Sequence, residues 1–168
     1  MKITMHTMMV EAATPALKTL SDLLDKGLAH AEAKKFDAAV LANARLAPDM
    51  LPLIRQVQIA CDMIKNGAAR LAGSDPPRFE DTETTIEELK ARIARTIDYV
   101  ASIPASAFEG SEDRDIRIPL RDRTLEMKGL PFLRSWVIPN FYFHMVTTYA
   151  LLRHNGVEIG KRDFLGTL

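Results

Sequence analysis

Few side chains in this sequence could do chemistry, and its four histidines and one cysteine set the limits. His6, His30, His144 and His154 form no HExxH or HxxxH pair, and neither a glycine-rich phosphate loop nor a cysteine pair accompanies them. Most simple metallohydrolase and nucleotide-binding readings need one of these. His144 stands out because Asn140 lies one helical turn before it and Thr148 one turn after it. At about 100° per residue these three share a helix face. They form a polar stripe on the apolar run Phe141-Tyr142-Phe143-His144-Met145. If buried, that stripe needs partners: water, polar side chains of another helix, or a metal.

His154 cannot join His144, because ten helical residues span about 15 Å. It is expected to complement a helix C-terminus instead. A second polar group comes from Arg55-Gln56-Val57-Gln58, where Gln58 precedes an apolar run and could turn toward the interior, with Gln56 as the alternative. Cys61, one turn after Val57, reads as a small buried hydrophobe and not as a nucleophile.

The elements that must position these residues are mainly helices. Leu17, Leu20, Leu24, Leu28 and Ala31 mark a first helix over residues 8–35, with a bend or restart expected at Thr14-Pro15. Residues 36–47 read as a connector, with extended character at 37–41. A second helix is expected from a cap at Asp49, with Leu53, Val57, Ala60, Ile64, Ala68 and Leu71 on one side, ending at Gly73. Thr85-Ile86-Glu87-Glu88 is a capping box, with Thr84 and Glu87 offering the same box one residue earlier. The third helix then carries Ile86, Leu89, Ile93, Ile97, Val100 and Ile103 up to Pro104. Alternation in Ile116, Ile118, Leu120 and in Leu125, Met127 predicts a hairpin or extended insertion, with Pro119 on an edge. The last long helix is expected to begin at Pro139 and end at His154-Asn155-Gly156, leaving a tail too short for another element.

Lysine plus arginine number 22 and so do aspartate plus glutamate, so the 168-residue chain carries no net charge. That balance argues against a nucleic-acid partner, which would need an excess of cations. One cysteine excludes an internal disulfide and fits a reducing compartment. The N-terminal residues lack the apolar core of a signal peptide. Ser135 to Leu152 is an uncharged run of 18 residues, but Pro139, Asn140, His144, Thr147 and Thr148 suit a buried helix better than a membrane span. The expectation is a single cytoplasmic domain, residues 1–168, all-α: an antiparallel four-helix bundle with a hairpin insertion before the last helix.

Four blocks resemble the DinB/YfiT-like superfamily of bacterial helical-bundle candidate metalloenzymes, in one of its uncharacterised branches. They are residues 51–58, the run Pro139-Asn140-Phe141-Tyr142-Phe143-His144, residues 151–156, and residues 160–166. The superfamily commonly holds a divalent metal, zinc or nickel, with three histidines: one on the second helix and two at HxxxH on the last. The resemblance places His144 at the second histidine of that pair and Asn140 at the first, with Gln58 or Gln56 near the second-helix position. Two of three imidazoles are thus replaced by neutral amides, which are weak ligands for zinc or nickel. The resemblance therefore implies a homodimer with a degenerate metal pocket around Gln58, Asn140, His144 and Thr148, non-catalytic or binding a small-molecule ligand. One alternative is a metal-dependent transferase or hydrolase anchored on His144. Another is a structural or partner-binding stress protein. Apolar surface for the dimer is expected from the methionine-rich start and the Trp136 region.

Overall fold

The computed structural model describes residues 3–166. In α1 (Ala12–Lys34), Leu17, Leu20, Leu23 and Leu24 are all buried, as the spacing requires. Pro15 sits inside the helix and does not restart it. Proline has no N–H for the carbonyl four residues back. A π turn at Thr7–Glu11 precedes that gap, and Thr14 Oγ1 donates to the Val10 carbonyl at 2.9 Å. Met5 and Met9 are buried and fill core, while Met8 is half-buried and Ile3 exposed. Residues 37–41 are not extended. Asp37 Oδ1 accepts from the Ala39 N–H at 2.8 Å, and the short α2 (Ala39–Ala42) follows. Adjacent Leu41 and Ala42 are both buried, which a helical turn permits and strand alternation would forbid.

Asp49 does not cap the next helix. α3 (Leu53–Leu71) starts after Pro52, which is extended at φ −70° and ψ 166°. A residue preceding proline is pushed out of the helical region, so a helix cannot run through Leu51. α4 (Ile86–Ala101) begins at the Thr85–Glu88 capping box: Thr85 Oγ1 accepts from the Glu88 N–H at 3.2 Å. The Glu88 carboxylate accepts from the backbones of Thr84 and Thr85, and those bonds hold its carboxyl below the usual range.

The hairpin forms as expected. β1 (Asp115–Pro119) pairs antiparallel with β2 (Thr124–Lys128), setting Ile116 opposite Met127 and Ile118 opposite Leu125. Ile116 and Ile118 are buried. The last long helix differs from expectation. α5 (Gly129–Phe132), a π turn at Leu133–Val137 and α6 (Ile138–His154) run as one helical path, ten residues longer than the expected start at Pro139 would give. Pro139 lies in the first turn of α6, and the π turn precedes its missing donor just as one precedes Pro15. The tail also makes an element after all. α7 (Lys161–Leu165) is capped by Asp163, which accepts from the Gly160 N–H at 2.7 Å and pairs with Lys26 of α1 at 2.7 Å.

α3 packs against both α4 and α6, and α1 packs against the same two helices. The described chain is thus mostly helical, with one two-stranded antiparallel sheet. A Cβ at Gly67 would stand 2.9 Å from Val137 Cγ1, so glycine there lets α3 approach the helical path leading into α6. Among the described residues, no helix is long and apolar enough to cross a membrane.

Candidate functional site

The face-sharing of Asn140, His144 and Thr148 is real, but the stripe does not act as one unit. Asn140 Nδ2 donates to the Trp136 carbonyl at 2.7 Å, and Thr148 Oγ1 donates to the His144 carbonyl at 2.9 Å. Both side chains thus satisfy backbone carbonyls of their own helix. Only His144 reaches across to another element.

Its partner is Gln56. His144 Nδ1 lies 2.7 Å from Gln56 Oε1, while Gln56 Nε2 donates to the Leu51 carbonyl at 2.9 Å. The carbonyl fixes which way the amide points, since only its nitrogen can donate there. Gln56 Oε1 must therefore accept, His144 Nδ1 must carry the proton, and Nε2 is left as the acceptor nitrogen. Burial lowers the His144 pKa from its ordinary value of 6.5, which favours this neutral form. Arg92 Nε is the one buried side-chain nitrogen or oxygen without a partner among the described residues, so His144 Nε2 is not a buried orphan. Phe143 stands edge-on to the imidazole, with ring centroids 5.2 Å apart.

Gln58 belongs elsewhere, and helix geometry says why. Two residues turn a helix by about 200°, so Gln56 and Gln58 sit on opposite edges of the buried stripe of α3. Gln56 faces α6. Gln58 faces α4 and the connector before it: its Nε2 donates to Glu83 Oε2 at 2.8 Å, and its Oε1 accepts from Arg55 Nη1 at 2.6 Å. A pocket holding Gln58 and His144 together is not what the chain builds. A cleft of about 320 Å³ lies between α1, α6 and α7, lined by Thr19, Tyr142, Met145 and Phe164 among others. Gln56 and His144 are not among its lining residues.

The donor set does not suit a three-histidine metal centre. His144 offers one imidazole nitrogen, Gln56 Oε1 is taken by Nδ1, and Asn140 Nδ2 is turned to its own backbone. Among the described residues, no three histidine, cysteine, aspartate or glutamate side chains converge as a metal site would require. Cys61 is wholly buried, and burial pushes its thiol up to about 12, the reverse of what a nucleophile needs.

Gln58 leads to a second polar assembly that sequence reasoning missed. The Arg92 side chain is 1% exposed, and Asp62 Oδ1, Asp81 Oδ1 and Glu83 Oε1 surround it at 3.0, 3.0 and 3.1 Å. Burial works against its charge, and the hydrogen bond that Arg92 donates to Glu83, with the charges of Asp62 and Glu83, outweighs it, raising the Arg92 pKa. The signal was present: Arg92 lies three residues after Leu89 and eight before Val100, on the apolar stripe of α4, where arginine is rarely found unpaired.

The comparisons agree with this architecture. The family described as "Domain of unknown function (DUF1993)" matches residues 5–165. A crystal structure of a DinB family member protein from Shewanella denitrificans is 43% identical. That alignment covers 97% of this chain and 92% of the other, with a TM-score of 0.92. No curated protein matches the chain. With a family match over nearly its whole length and a solved relative above 40% identity, the chain belongs to the DUF1993 family and, with it, to the DinB-like helical proteins.

Proposed function

We propose that this chain is a cytoplasmic, non-catalytic, ligand- or partner-binding DinB-like protein, a four-helix bundle of α1, α3, α4 and α6 acting as a homodimer. One observation carries the reading: the Gln56 amide, oriented by the Leu51 carbonyl, already occupies the Nδ1 side of His144 at 2.7 Å. In place of a ligand cage there is a hydrogen-bonded pair with one free acceptor, Nε2. Such a nitrogen beside the exposed Phe143 suits a hydrogen-bond donor carried on an apolar group.

The dimer reading rests on α6, which is apolar on both sides. Phe141, Met145, Thr148 and Leu152 face inward, while Tyr142, Phe143 and Val146 remain 42%, 57% and 48% exposed. The run from Ser135 to Leu152 has no charged residue to select a differently charged partner. A face of this kind matches a second copy of itself across a twofold axis. Light scattering should return twice the chain mass, and Val146→Glu should return the monomer mass. A monomeric wild type would refute the dimer.

A specific observation keeps a second reading open. A histidine held through Nδ1–H by a carbonyl with Nε2 bare is also how metal-ligating imidazoles are oriented. A zinc- or nickel-dependent transferase or hydrolase could be anchored there, with water completing the coordination. Metal analysis of tag-free protein separates the two. Substoichiometric metal in wild type and in His144→Gln alike supports the first reading. Stoichiometric metal lost in His144→Gln supports the second.

A further inference from the structure

We propose that the connector between α3 and α4, residues 75–84, is a charge-held strap that lifts off those helices as a unit when Asp81 and Glu83 lose their charge, while the helices stay folded. Among the described residues, no backbone-to-backbone hydrogen bond involves residues 75–84. Only Phe79 in the segment is buried. What else fixes it is side-chain contact to α3 or α4: Thr84, at its end, donates through its N–H and hydroxyl to Glu88 of the α4 cap, Gln58 holds Glu83, and the other contacts run to cations.

Arg92 is the hub. From α4 its Nη1 donates to the Glu80 carbonyl at 3.0 Å and to both Glu83 oxygens at 3.1 Å. Its Nη2 reaches Asp81 Oδ1 at 3.0 Å and, on α3, Asp62 Oδ1 at 3.0 Å. Arg55 of α3 holds the other Asp81 oxygen at 2.5 Å, and Gln58 holds Glu83. Phe79 is packed by charge as well: Lys65 Nζ lies 4.4 Å and Arg95 Cζ 3.8 Å from its ring centroid. Lys65 in turn pairs with Asp62 at 2.9 Å. Cys61 also lies beside Arg92 with its thiol neutral, and the Phe79 ring centroid stands 5.9 Å from Arg92 Cζ. Lys90, paired with Asp25 of α1, lies about 200° round α4 and takes no part.

Two features make opening separable from unfolding. Asp62 stays on α3, so Arg92 keeps one carboxylate after the strap leaves. Arg92 Nε has no partner in the closed form, and opening supplies it with water. The strap side carries the cost. Burial works to raise the Asp81 carboxyl, and the hydrogen bond and charge of Arg55 with the charge of Arg92 outweigh it, holding it below the usual carboxylate range. Neutralising Asp81 removes that gain.

Trypsin cleavage after Arg78 reads the opening directly, because the bond precedes the buried Phe79 and a protease needs several residues free. Full-length Asp81→Asn/Glu83→Gln protein is compared with wild type and with Glu126→Gln, which neutralises the exposed partner of Arg117 in the hairpin. Peptides are followed by mass spectrometry and the helices by ellipticity and melting. The strap predicts a cut after Arg78 at least about tenfold faster in the double variant, equivalent to about 1.4 kcal/mol in the open population. Helical content and cleavage elsewhere should be unchanged, and Glu126→Gln should match wild type. An unchanged rate after Arg78 overturns the proposal. So does a double variant that melts or is cut throughout, because the network would then belong to the core.

Discussion

Replacing Gln56 by leucine is the sharpest perturbation of the candidate site. Leucine keeps much of the volume of a side chain that is 2% exposed, so packing changes little and polar loss dominates. Two bonds disappear: the donor to the Leu51 carbonyl at 2.9 Å and the acceptor for His144 Nδ1–H at 2.7 Å. A net hydrogen bond contributes about 1 kcal/mol, and a partner stranded away from water adds about 1–3 kcal/mol. His144 is only half-buried and Leu51 is exposed, so water recovers part of the loss. The expected destabilisation is about 1–3 kcal/mol, read as a shift of the urea midpoint at constant slope. A double-mutant cycle separates the pair from its surroundings. Gln56→Leu with His144→Ala should be non-additive by about 0.5 kcal/mol or more, whereas Gln58→Leu with His144→Ala should add within about 0.3–0.5 kcal/mol. Coupling of His144 to Gln58 and none to Gln56 would refute the assignment.

Further outcomes follow from the same packing. Ile93→Ala, at a site 1% exposed, should cost about 2–5 kcal/mol in urea melts, and Leu125→Ala in the half-buried hairpin strand clearly less. Equal losses would place the hairpin in the main core. Gly129→Ala should destabilise by about 3 kcal/mol or more, because a Cβ there would stand 1.8 Å from the backbone oxygen of Ser111, which cannot swing aside. A neutral melt would refute that junction. Since burial depresses the folded-state pKa of His144, the unfolded chain binds more protons below 6.5. Stability should be fully present above that value and fall as pH drops through the window beneath it. His144→Gln should flatten the slope between about pH 5 and 7, and an unchanged slope would contradict the shift.

How far the sequence reached depends on what kind of signal each element carries. Apolar spacing located α3, α4 and the hairpin, and the Thr85–Glu88 box fixed the start of α4, because these are local patterns with local causes. The start of the last helical path was hidden. Pro139 resembles a first-turn residue, and nothing in the residue pattern announces that a π turn lets the helix continue from Gly129. Asp49 misled in the same way, because Pro52 outweighs a capping carboxylate. His144 and its possible glutamine partners were legible, but the choice between Gln56 and Gln58 needed the orientation of α3 between α4 and α6. The strap was missed because Arg92, Asp62, Asp81 and Glu83 come from three separate stretches and have no motif spacing. Arg92 on an apolar stripe was the available clue.

His144 is the proton-donating half of a hydrogen-bonded pair, with Nδ1–H on Gln56 and a bare Nε2. Long-range nitrogen–proton correlation spectra of histidine-labelled protein at neutral pH read both ring nitrogens directly, before and after equimolar zinc. A protonated Nδ1 and an unprotonated Nε2 are expected for His144, with an Nδ1 signal that moves in Gln56→Leu and no stoichiometric change with zinc. A proton on Nε2, or His144 nitrogens that saturate with one equivalent of zinc, would contradict that pairing.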